Sequence, residues 1–275
     1  MLNDIYPDVR QYLLVPYAQP PVGDLRWQSP QKLKKMNRRF DSTRYGPACP
    51  QYVSSYDSIW TEYSPTALLY SLGGSRTEGS TAWFTAEKTV YPKVRSLDET
   101  SLTLLNVRAA VEWVYENIES FGGNKDNIML WAQSQGAVLT HLYTLAFPDN
   151  PLATKFGILS QPPSVIIKLT TTADVYADFD IIAKALGCNY GSDAMAELEC
   201  MRKVSWVRIS EFIRRYTASP SISFSSHIPD EKYIFADEPA RYAARKVAPG
   251  PAIRSNVDRE SASTNFTAAA LTEQE

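Results

Sequence analysis

Between residues 107 and 161 the chain changes hydrophobic rhythm three times, and this alternation constrains its fold more than any other feature. In "VRAAVEWVYENIESFGG" the apolar residues Val107, Val111, Val114, Ile118 and Phe121 recur at helical spacing, and Gly122-Gly123 supply a left-handed stop. After the short loop "NKDN", the continuous apolar run Ile128 to Trp131 predicts a buried strand. "AQSQG" then leads into "GAVLTHLYTLAF", a second helical pattern ended by Pro148, and "FGILSQ" at 156 to 161 predicts another strand. Helix, strand, sharp turn, helix, strand is the order of a mostly parallel sheet with helices on both faces, which places the chain in the α/β class.

The flanks are less regular. The first 60 residues, rich in Pro, Tyr and Gln, predict loops and short edge strands. "TALLYSL" at 66 to 72 predicts a strand running into Gly73-Gly74, with a further glycine at 79. Three capped helical patterns follow: Val175, Phe179, Ile182 and Leu186 stopped by Gly187, then Asp193 to Arg202, then Ser205 to Tyr216. From residue 219 on the pattern is mixed. No repeat or linker divides the chain, so one domain over 1–275 is expected. Its 44% hydrophobic content suffices for a large core. With 28 basic against 30 acidic residues and no basic stripe, nucleic acid is not an expected partner. No run approaches the ~18 apolar residues of a membrane span. The first residues lack the basic and apolar regions of a secretory signal, so at face value the chain is soluble and not exported.

Ser134 is the chemically pointed residue. Small residues two before and two after it, Ala132 and Gly136, let a strand and a helix approach closely, as in a nucleophile elbow. There the turn exposes Oγ, and the N–H of Gln135 at the helix N-terminus can donate to a developing oxyanion. The same five residues also fit an ordinary strand-to-helix loop with a helix-capping serine.

Four stretches carry a wider resemblance: "VPYAQPPVGDLRWQSPQ" from 15, "YGPACPQ" at 45 to 51, residues 107 to 138, and "AIRSNVDRESAS" at 252 to 263. In this order they resemble the landmarks of the type-B carboxylesterases, which include the cholinesterases. The resemblance implies an α/β-hydrolase fold, hydrolysis of small carboxylic esters by a Ser-Glu-His triad, and neither cofactor nor metal. It implies Ser134 as nucleophile and Gly73, Gly74 and Gln135 as oxyanion donors, although Leu72 stands where the family's first glycine is usual. It implies Glu260 as the triad acid, with Asp258 as the alternative if the register slips and Ser261 in place of the usual glycine.

The family's histidine lies well beyond the acid, and this sequence holds only His141 and His227. His141 stands about two helical turns after Ser134, its ring directed away from Oγ, and His227 falls where the family is apolar. Both are expected to be surface or packing histidines. The resemblance also implies a Cys188–Cys200 disulfide and hence a secreted protein, while Cys49 lacks the stretch that carries its family partner; it is otherwise a buried apolar residue. The expectation is a partial carboxylesterase domain, internally deleted and truncated, that lacks strands in its N-terminal half and the triad-histidine region. Its activity would be weak or nil, because a serine hydroxyl without a base is a poor nucleophile. The alternative is a non-catalytic binding or scaffold protein like the cholinesterase-like adhesion proteins.

Overall fold

The computed structural model describes residues 12, 15–34, 39–43, 101–133, 135–161, 172–218, 222 and 229–258. Helix α1, Leu102–Asn117, begins before the first valine of the predicted pattern, because Leu102 and Leu104 are themselves core residues. It tightens into a 3₁₀ turn, Ile118–Phe121, and stops at Gly122, whose φ of 83° is the left-handed conformation that glycine adopts without a Cβ penalty. Strand β1, Met129–Gln133, runs two residues past the apolar stretch, since its ladder with the next strand includes Ala132 and Gln133. Helix α2, Gln135–Ala146, follows after a single residue, and β2, Lys155–Leu159, completes a strand–helix–strand unit.

Helices α3, Thr172–Ala185, α4, Ala194–Lys203, and α5, Trp206–Arg215, correspond to the three capped patterns. Asp193 and Ser205 are the N-caps of α4 and α5, accepting from the N–H of Ala196 and of Arg208. Two elements arise from the mixed C-terminal region: the short helix α6, Glu238–Ala243, and strand β3, Ala252–Ser255. In the N-terminal region the described residues contribute a 3₁₀ turn, Gly23–Leu25, and no strand.

The three strands lie in the order β1-β2-β3, all parallel. Helix α2 packs on one face, where Val138, Leu142 and Tyr143 join Phe156 of β2 and Leu104 and Val111 of α1 in one core. The opposite face carries Met129, Trp131 and Ile253, with Trp131 63% exposed. Gly157 stands between Trp131 and Ile253 in the register; a Cβ there would lie 2.6 Å from the Cβ of Trp131. Beyond the sheet, Trp27, Phe179, Ile182, Leu198, Met201 and Ile209 form a second core that joins α3, α4 and α5. The Cys188–Cys200 disulfide, with Cα atoms 5.6 Å apart, closes the loop between α3 and α4 at its edge. The N-terminal segment docks there too. Arg26 donates to the carbonyl of Val204 at 2.5 Å, beyond the end of α4, and Trp27 meets Phe179 edge-on.

Candidate active site

The parallel sheet brings the carboxyl ends of β1 and β3 to one edge. Gln133, Leu159 and Ser255 form one register row at the carboxyl ends of β1, β2 and β3. The segments that leave β1 and β3 therefore start on the same rim, two strand spacings or about 10 Å apart. Residue 134 follows the first of these strands directly and precedes α2, while residues 256–260 follow the third. Ligand crevices of open α/β sheets lie outside this carboxyl edge. Gln135 is the first residue of α2, where backbone N–H groups have no intrahelical acceptor. Gly136 and Ala137 behind it are buried against the sheet, as the small residue after the serine suggested. Ser134, Gly73, Gly74, Glu260, His227 and Cys49 lie outside the described residues. Asp258 is exposed in the turn after β3.

His141 is a packing histidine rather than a surface one. Its side chain is 7% exposed, and both ring nitrogens are engaged. Nε2 lies 2.8 Å from Oε2 of Glu238, and Nδ1 lies 2.7 Å from Nη2 of Arg254. Tyr242 stands beside the ring, its hydroxyl 3.3 Å from Nδ1. Burial pushes the Tyr242 phenol above its usual range while the charge of Arg254 draws it partly back, so at neutral pH it is a hydroxyl. Glu238, Tyr242 and Arg254 were not singled out by the sequence. The available signal was local to α6: Asp237 before Glu238-Pro239 is an N-cap followed by a proline in the first helical turn.

A cleft of about 370 Å³ opens elsewhere, between Ser29, Pro30, Leu105, Arg108, Glu112, Phe147 and Tyr233. Phe147 follows the last residue of α2, so this cleft is a helix length from the start of α2. Arg108, the only cation among its described lining residues, already donates to Glu112, Tyr143 and the carbonyl of Asn150. Among the described residues no group of three or more His, Cys, Asp or Glu side chains could hold a metal ion, and no helix is long and apolar enough to cross a membrane.

Comparison with known proteins gives a consistent result. Residues 2–64 and 101–273 match the profile of the Carboxylesterase family. Chlorogenic acid esterase of Aspergillus niger is 31% identical over 91% of this chain and 58% of its own length. Acetylcholinesterase of Danio rerio is 24% identical over 70% of this chain and 38% of its own length. Secreted lipase 5 of Gibberella zeae is 24% identical over 76% and 51%. The chain thus spans about half the length of these relatives.

Proposed function

This chain belongs to the carboxylesterase family, and from that premise we propose that it is a carboxylic ester hydrolase by descent, with Ser134 as nucleophile. The observation that carries the reading is the single residue between the end of a parallel strand at Gln133 and the start of a helix at Gln135. A serine between strand and helix fits a nucleophile elbow, a turn that exposes the hydroxyl and lets the next backbone N–H, here that of Gln135, donate to a tetrahedral oxyanion. Gly73 and Gly74 supply further donors, and Glu260, on the segment after β3, supplies the acid. The substrate is a small carboxylic ester; no cofactor takes part in acyl transfer of this kind. The disulfide supports residence in an oxidising compartment.

Turnover by these residues alone is slow. Both nitrogens of His141 are committed to Glu238 and Arg254, which favours the second reading, a non-catalytic binding protein on an esterase scaffold. Oxyanion stabilisation and binding without a triad base leave roughly 10³ to 10⁴-fold over water. The purified 275-residue chain is expected to hydrolyse p-nitrophenyl acetate, acetylcholine and chlorogenic acid near background. A fluorophosphonate should label it slowly, and Ser134→Ala should abolish that labelling. Labelling that survives Ser134→Ala removes the nucleophile assignment; no labelling at all selects the binding protein.

A further inference from the structure

His141, both of whose ring nitrogens are engaged, joins three elements of the fold. It projects from α2, the helix that begins immediately after Ser134, and its Nδ1 meets Arg254 of β3, the strand that leads into the segment bearing Asp258 and Glu260. On the other side its Nε2 meets Glu238 of α6.

The partners fix the state of the ring. A guanidinium has no acceptor and is never deprotonated in proteins, so Nδ1 must accept from Nη2 of Arg254 and carries no proton. A carboxylate only accepts, so Nε2 carries the proton and donates to Oε2 of Glu238. The chain of polarity therefore runs from a carboxylate through a neutral imidazole to a guanidinium. Around it stand Thr144 of α2, whose hydroxyl bonds the His141 carbonyl, Tyr242 of α6, and Gln161 after β2, which accepts from the other amino group of Arg254. Every contact that Arg254 makes here spans two elements.

We propose that His141 is a positioning residue: as a neutral relay between Glu238 and Arg254 it locks β3, the strand that precedes Asp258 and Glu260 in the chain, against the helix that begins after Ser134. Its bearing on catalysis rests on the assignment of Ser134 and Glu260; the ring state and the strand lock do not. The lock needs one acceptor facing Arg254 and one donor facing Glu238. A carboxamide supplies both and a phenyl ring neither, so His141→Gln preserves the relay while His141→Phe keeps only the volume.

The test uses the full 275-residue chain. Nitrogen-15 spectra of the wild type at neutral pH should show Nδ1 unprotonated and Nε2 protonated for His141; the opposite tautomer or an imidazolium overturns the proposal, and needs no variant to fold. Hydrogen exchange of residues 252–255 should accelerate at least about tenfold in His141→Phe and return to the wild-type rate in His141→Gln. Equal rates in all three, or equal loss in both variants, overturn the relay. Slow fluorophosphonate labelling of Ser134 should fall in His141→Phe and recover in His141→Gln, and unchanged labelling overturns the positioning role. A wild-type chain that is not labelled at all counts against the nucleophile, and the ring state and exchange rates then decide the lock.

Discussion

Asp230 illustrates what one side chain contributes at the scale of a residue. Its Oδ1 accepts the backbone N–H groups of Lys232, Tyr233 and Ile234 at 3.0, 2.7 and 2.9 Å, and its Oδ2 accepts the Ser101 hydroxyl at 2.8 Å. Burial pushes this carboxyl up, but the four hydrogen bonds outweigh it and hold it below the ordinary aspartate range. A lowered folded-state value means that the stabilisation is complete above about pH 4 and is lost as the pH falls through that value. Asp230→Ala should therefore cost about 1–2 kcal/mol at neutral pH in urea unfolding, and the gap to wild type should narrow below about pH 4. A gap that stays constant down to pH 3 would remove the carboxylate from this account. The sequence showed Asp230 only as part of a mixed stretch, because Ser101 lies far from it along the chain. Arg26 and Trp27 were legible as members of a family landmark, but not the reason for their presence. That reason is the Val204 carbonyl and the Phe179 ring, both supplied by distant helices.

At the scale of elements, legibility followed the range of the determining contacts. Helices α4 and α5 were readable to within a residue, since Asp193 and Ser205 bond N–H groups three residues ahead. Strand β3 was not, because "AIRS" has no alternation and owes its conformation to the ladder with β2. Its start depends on Gly250, at φ 133°, where a Cβ would stand 2.3 Å from the Thr154 carbonyl oxygen. Gly250→Ala combines a disfavoured φ with a backbone clash and should destabilise by about 2–4 kcal/mol, read from the urea midpoint at unchanged slope. A loss under 1 kcal/mol would mean that β3 approaches β2 less closely than described. The disulfide acts between elements. On the loop-entropy model, Cys188→Ser with Cys200→Ser should cost about 3 kcal/mol, measured by thermal unfolding beside the reduced wild type.

At the scale of the whole molecule, a parallel sheet normally has both faces covered, yet Trp131 and Ile253 are 63% and 62% exposed. Trp131→Phe should remove a component of fluorescence that acrylamide quenches readily; unchanged quenching would mean that something covers this face in solution. The sequence by itself determined the succession of helices and strands from α1 to α5 and the α/β class. Those follow from hydrophobic period, caps and glycine stops, which act within a turn or two of the chain. Only the tertiary structure decided that β3 lies beside β2, that the ends of β1 and β3 share one rim, and that His141 joins Glu238 and Arg254, residues 97 and 113 positions away. No local pattern encodes such meetings. A neutral imidazole that accepts from a guanidinium and donates to a carboxylate exists only where packing brings three separate elements within hydrogen-bond reach.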